Sequence, residues 1–324
     1  MIRATPALIA ITLLTCTLTR ADLKNTAHGI YSLTRINAAH LSDDPSWTDP
    51  NITGVIVRTW WKHVQPIQGT FQWGYLDQGL KLARKYHKKL GFTVVAGQWS
   101  PDWIYTAGSQ KFVIQNVGSM PCPWDKVFLN YWQQFILEFG ARYDSYGDVS
   151  YVTAEGPGRT EECYFCKSQA DVDELAADFG GSLSTGIQAW VNAAETIAGY
   201  YASAFPTTPF VYADGTPIPG DDTDYATLVS YCVTAFGSQF GIKSDGLSPI
   251  YRAEFAKKEI PLLSPTHPVG FQNFRGFKDP TDLQQALTNG INLTGHYIEV
   301  YTKDVTATAD QTIIQQAQAA LTGP

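Results

Sequence analysis

Charge is scarce in this sequence. Only 16% of its 324 residues are charged, with 30 acids against 23 bases and a net charge of −7. That balance excludes the basic stripe of a nucleic-acid binder, and a hydrophobic content of 44% excludes a disordered chain. No apolar run beyond the first 21 residues is long enough to cross a bilayer. The six histidines show no HExxH spacing, no GxSxG elbow is present, and no glycine-rich phosphate loop opens the first strand–helix unit. Neither a metal nor a cofactor is therefore expected. No low-complexity linker or internal repeat divides the chain, so one large domain is expected.

The first 21 residues read as a secretory signal: Arg3 gives a positive start, residues 7–14 are apolar, and Thr19–Arg20–Ala21 offers a cleavage site. The expected mature chain, 22–324, is exported and not held in a membrane. Removing the signal removes Cys16 and leaves Cys122, Cys163, Cys166 and Cys232. An even number in an exported chain predicts two disulfides, with three possible pairings. Sequons at Asn51 and Asn292 are compatible with glycosylation.

Eight strand-like runs alternate with helix-like segments: 29–36, 54–61, 91–97, 149–156, 209–214, 240–245, 269–274 and 295–301. Helical periodicity covers 75–89, 125–143, 182–204, 280–289 and 306–321, clearest where Phe128, Trp132, Phe135 and Phe139 repeat. Eight alternations predict a single (β/α)8 barrel, an α/β fold whose chemistry sits at the C-terminal ends of its strands.

Side-chain alternation sorts the strand ends. In the eighth strand Ile298 and Val300 share the helix-facing side, which turns Tyr297, Glu299 and Tyr301 toward the axis. In the fourth, Val152 and Ala154 face the helices and Glu155 faces the axis. The same parity turns Arg58 inward with Trp60, Gln272 with Gly270, and Asp245 with Lys243. Polar groups at four strand ends predict a solvated or ligand-filled mouth, because burying unpaired charge costs several kcal/mol.

Residues 57–66 (VRTWWKHVQP), 69–73 (GTFQW), Leu76–Asp77 and 100–103 (SPDW) resemble the opening of family 42-type β-galactosidases, within the glycoside hydrolase superfamily of (β/α)8 barrels. The resemblance is specific over about the first third of the chain. It implies that Arg58 holds a catalytic carboxylate and that Glu155 is the general acid/base. The chain departs from that pattern with Ala154 before Glu155, and with Gln272 where the superfamily has a strand-seven glutamate nucleophile. An amide cannot serve as that nucleophile.

These readings give Glu155 as proton donor and Glu299 as second carboxylate of an enzyme cleaving a β-linked glycan. Glu162, in the loop after Glu155, is a rival acid/base. Asp245 is a third candidate, with a salt bridge to a neighbouring lysine as its plainer role, while Glu161 reads as a solvated loop residue. Arg58, Trp60, Trp103, Gln272, Tyr297 and Tyr301 are the expected sugar contacts. The missing strand-seven glutamate leaves open a carbohydrate-binding barrel that no longer hydrolyses.

Overall fold

A computed structural model describes residues 22–323; the expected signal, 1–21, lies outside the described residues. Eight parallel strands close into a barrel: β1 (Gly29–Leu33), β2 (Gly54–Trp60), β3 (Lys89–Val95), β4 (Val149–Thr153), β5 (Phe210–Ala213), β6 (Phe240–Leu247), β7 (Val269–Asn273) and β8 (Tyr297–Tyr301). Each neighbours the next, and β8 returns to β1. All eight predicted strands are present, and the (β/α)8 barrel is the fold.

Eight helices of ten residues or more lie among the described residues: α1 (Gly74–Tyr86), α2 (Lys126–Tyr143), α3 (Gln169–Asp178), α4 (Leu183–Ala204), α5 (Thr223–Phe236), α6 (Glu254–Leu263), α7 (Pro280–Asn292) and α8 (Gln311–Thr322). Helix α2 starts where the Asp125 carboxylate accepts the amides of Val127 and Phe128, an N-cap worth about 1 kcal/mol. It buries Phe128, Trp132, Phe135, Ile136 and Phe139. A Cβ at Gly140 would lie 2.1 Å from the Ala204 carbonyl oxygen, so the close crossing of α2 and α4 requires glycine there. Helices α3, α5 and α6 and a hairpin between β3 and α2 (Lys111–Ile114 with Gly118–Pro121) add to the helices expected from periodicity.

The parity argument holds. Tyr31, Leu33, Ile56, Tyr151, Val211 and Tyr297 form one buried cluster inside the barrel, and Val55, Val57, Phe92, Val152, Ile298 and Val300 belong to the outer core under the helices.

The expected disulfides are absent: Cys122, Cys163, Cys166 and Cys232 are buried free thiols. In the CxxC segment the amides of Cys163, Phe165 and Cys166 donate in turn to the carbonyls of Ala213, Thr216 and Pro217. The segment thus runs beside the exit of β5 and does not turn back on itself. Burial raises all four thiols above their usual range, which removes the reactive thiolate. Alkylation without reductant is expected to label no cysteine in the folded protein and all four after denaturation, read by intact mass; a protected pair after denaturation would restore a disulfide.

Candidate active site

Lys243, fully buried on the axis face of β6, is the centre of the site. Its Nζ lies 2.8 Å from Glu161 Oε1, 3.1 Å from Asp245 Oδ1 and 3.2 Å from Glu299 Oε2, with Gln272 Oε1 at 3.4 Å. Asp245 contributes charge more than a directed bond, since neither of its carboxyl oxygens accepts a hydrogen bond. The second oxygen of Glu299 accepts from the Tyr151 hydroxyl at 2.6 Å. Arg58 donates through Nε and Nη2 to the Thr34 carbonyl and through Nη1 to Glu161 at 3.1 Å.

Glu161 reaches this cluster because the loop after β4, residues 156–167, folds across the mouth. Trp132 Nε1 donates to the carbonyl of Glu155 and Trp190 Nε1 to that of Pro157, tying the start of the loop to α2 and α4. Gln98 donates to the carbonyl of Arg159, and Arg159 forms a buried ion pair with Asp171 in the first turn of α3. A Cβ on Gly97 would lie 2.4 Å from the Arg159 carbonyl oxygen. That glycine also has a φ of +53°, so it permits both the turn and the close approach of the loop.

Two expectations are corrected here. The strand-end carboxyls are not solvated but covered by the loop: Glu155, Asp245 and Glu299 are 2%, 5% and 0% exposed, the last two beside Lys243. Glu161, read as a solvated loop residue, is the carboxylate shared by both inward cations. Arg58, expected to hold a carboxylate, holds Glu161.

Two cations face four carboxyls, three of them buried and Glu161 largely enclosed, and the cluster divides accordingly. Burial would raise Glu161, but Lys243 and Arg58 overcome it and hold its carboxyl down at about 2. Burial pushes Glu155 well above the usual carboxylate range, and the Glu161 charge adds to the shift. Glu155 Oε1 has no hydrogen-bond partner, so burial and the Glu161 charge outweigh the opposing pull of Lys243. Asp245 is also raised well above its ordinary value, by burial first and against the pull of Lys243.

A stability test follows. A carboxyl raised in the folded state keeps its proton when the unfolded chain has released it, so its contribution is intact below the unfolded value and is lost as pH rises. Glu155→Gln removes that titration. The variant is expected to gain stability relative to the parent as pH rises above about 4.5, measured by urea midpoints across a pH series. A difference independent of pH would show that Glu155 is not held neutral.

Beside the cluster lies a cavity of about 630 Å³ between the exits of β1, β2 and β8, with Arg58 and Tyr301 in its wall. At the ends of β2 and β3, Trp60 and Trp99 stack with centroids 4.0 Å apart, and the Lys62 ammonium lies over both rings.

This geometry sits on a backbone shared with known enzymes. The catalytic domain of beta-amylase from Paenibacillus polymyxa superposes with a TM-score of 0.66 at 10% identity, covering 91% of this chain and 99% of that one. Beta-galactosidase from the psychrophilic Marinomonas ef1 gives 0.58 at 10% identity, covering 90% and 59%. Beta-galactosidase from Rahnella sp. R3 gives 0.56 at 10% identity, covering 91% and 56%. The chain therefore spans little more than half the length of the two beta-galactosidases. These neighbours are glycoside-hydrolase barrels, and the likeness is one of fold. No protein-family model and no curated protein sequence matches the chain.

Against that frame the expected site residues separate. Glu155, Asp245, Glu299, Arg58 and Gln272 converge with Lys243. Glu162 stays in the loop, where it accepts from Thr160. Tyr301 reaches the cavity wall. Tyr297 opens β8, two residues below Glu299, and packs against Tyr31 and Tyr151 inside the barrel; at 0% exposure it is a floor residue and makes no surface for a sugar. Trp103 donates to the Gln65 carbonyl and packs edge-on against Trp61, so it is largely structural. Trp60 remains half-exposed at the mouth. Sequence reasoning gave Lys243 no role beyond a salt bridge to Asp245, which is present, and gave Glu161 no role in the site. A lysine on the inward face of an otherwise apolar strand was a usable signal for Lys243; a loop glutamate carries no such periodicity.

Proposed function

We propose that the chain is a glycoside hydrolase with Glu155 as proton donor and Glu161 as the ionised second carboxylate. The observation that carries this reading is the opposite tuning of two neighbouring carboxyls, one buried and held neutral by burial, the other largely enclosed and held charged by Arg58 and Lys243. Such a split assigns acid and base roles in carboxylate chemistry. Glu155 gives its proton to the glycosidic oxygen as the bond from that oxygen to the anomeric carbon breaks. A carboxylate held near 2 is a weak base, so Glu161 acts on the anomeric carbon directly, as nucleophile and partner of the developing positive charge. Water then displaces it, with Glu155 taking the proton back. This route retains configuration at the anomeric carbon.

Glu299 supports the site from below: it is fully buried, and burial raises its carboxyl above the usual range against the pull of Lys243, so it is not the carboxylate held ionised. A substrate entering by the cavity meets the Arg58–Glu161 pair first, and the loop has to shift for a sugar to reach Glu155. A β-linked glycan remains the proposed substrate, and export the proposed fate; Asn292 is exposed and Asn51 is half-buried against Gln311.

A second reading, a barrel that binds sugar without cleaving it, is supported by amides at both end positions of β7, Gln272 and Asn273. The test is incubation of the full chain with a panel of α- and β-linked oligosaccharides, assaying new reducing ends and the anomer first released. Release with retained configuration supports the proposal; saturable binding without release moves the binding-only barrel ahead.

A further inference from the structure

The cavity next to Arg58 has a chemical character that the acid/base reading does not use. Its wall is largely apolar, from Leu33, Ile36, Pro45 and Tyr301. A volume of about 630 Å³ falls within the range of ligand pockets, roughly 300–1,000 Å³. On this wall stand two cationic side chains, Arg35 and Lys303, one at the exit of β1 and the other beyond the end of β8. Both are exposed, and neither forms an ion pair among the described residues. His40 adds a third, titratable donor to the same wall.

The opposing charges are Asp43 and Asp44. The Asp44 carboxylate is engaged, accepting from the Ser46 amide and hydroxyl and from the Thr302 hydroxyl. Asp43 accepts only from the neighbouring Ser42; neutral donors leave the charge on both carboxylates, so they offset Arg35 and Lys303 overall and an anion has to be held by direct contact with the two cations. Arg58 completes the inner edge, already committed to Thr34 and Glu161. With a net charge of −7 on the whole chain, long-range steering works against an anionic ligand. Unpaired cations beside the candidate site therefore make sense as local contacts.

We infer that this cavity binds the acidic groups of an anionic glycan, carboxylates or sulfates, through Arg35 and Lys303, while the apolar wall takes the sugar rings. The inference rests on the reading of the neighbouring carboxyls as a glycosidase site, and it narrows the substrate class. An arginine suits a carboxylate or sulfate because its planar donors engage two oxygens at once, and a lysine adds a point charge. No atom of either side chain takes part in bond cleavage.

The experiment is calorimetric titration of the full chain carrying Glu155→Gln, so that no ligand is consumed. The probes are an oligogalacturonate, a sulfated galactan oligosaccharide and a neutral galacto-oligosaccharide of matched length. At least one anionic probe is expected to bind at least tenfold more tightly than the neutral one, and the one preferred identifies the acidic group. Arg35→Ala and Lys303→Ala are each expected to weaken that binding about ten- to a hundred-fold. Arg35→Lys and Lys303→Arg are expected to keep most of it. Equal affinity for the neutral probe, no binding of any probe, or anionic binding that survives both alanine substitutions would overturn the inference. Turnover by the parent chain is assayed separately. Anion binding through Arg35 and Lys303 without cleavage would leave this inference standing and sink the hydrolase reading, whereas cleavage of neutral glycans alone would do the reverse.

Discussion

Glu155→Gln is expected to lower kcat on glycosides with poor leaving groups by about 10²–10⁴, the usual contribution of a general acid. The size of the effect follows from the state of the group. Burial keeps Glu155 protonated, and glutamine copies the shape of the neutral acid while lacking its transferable proton. The fold is expected to survive, because the fixed contacts of this residue run through its backbone, to Tyr201 and Trp132. Aryl glycosides separate chemistry from damage. A dinitrophenolate leaves without protonation, so the variant is expected to lose far less activity on that substrate than on an unactivated disaccharide. Equal losses on both would point to a general defect, and unchanged kcat/KM on the disaccharide would remove Glu155 as the acid.

The barrel was legible in the sequence because its strands are apolar on the side facing the helices and because period-two alternation is strict. Val152, Ile298 and Val300 declare one side, and Glu299, Arg58 and Asp245 then fall on the other by arithmetic. That arithmetic assigns a direction but not a partner. It placed Lys243 and Asp245 on one face, yet gave no means of seeing that Lys243 would gather carboxylates from β6, β8 and a loop. Position along the strand matters as much as face. Tyr297 and Tyr301 share a side, but only Tyr301 is at the mouth; Tyr297 is in the barrel floor.

The loop after β4 was the least legible element. Gly156, Pro157 and Gly158 carry little side-chain bulk. In the structure they allow a tight fold: a Cβ at Gly158 would come within 1.9 Å of the Glu162 carbonyl oxygen. What places Glu161 over the barrel is the sum of distant tethers, from Gln98, Ala213, Trp190 and Asp171, and none has a local signature. The disulfide expectation failed for a related reason. Cysteine count and spacing carry no information on backbone direction, and the segment 163–166 runs alongside the exit of β5.

Lys243→Met is expected to be the most destabilising single substitution at the site. Methionine fills a similar volume, so the loss is electrostatic. Among the described residues Lys243 is the only cation within ion-pair distance of Asp245 or Glu299 and one of two on Glu161. Removing one member of a buried ion pair costs about 3–5 kcal/mol, because the charges left behind stay desolvated. The remaining carboxyls can escape that cost by taking up protons, which makes the loss depend on pH.

In the parent, Glu161 is held at about 2, below its unfolded value, so its contribution is present above the unfolded value and disappears as pH falls from about 4.5 toward 2. In the variant only Arg58 opposes the burial of Glu161, so its folded value rises from about 2 toward and past the unfolded one, and Glu299, already raised by burial in the parent, rises further without Lys243. Their penalty is then greatest near neutral pH and fades on acidification. The stability gap between parent and variant, from urea midpoints at pH 7 and pH 4.5, is therefore expected to narrow at the lower pH. Arg58→Met, which leaves Lys243 on Glu161, is expected to cost less at both. A gap that stays constant would mean that the carboxyls keep their charge without Lys243, and the assignment of Glu161 as an ion held by two cations would fail with it.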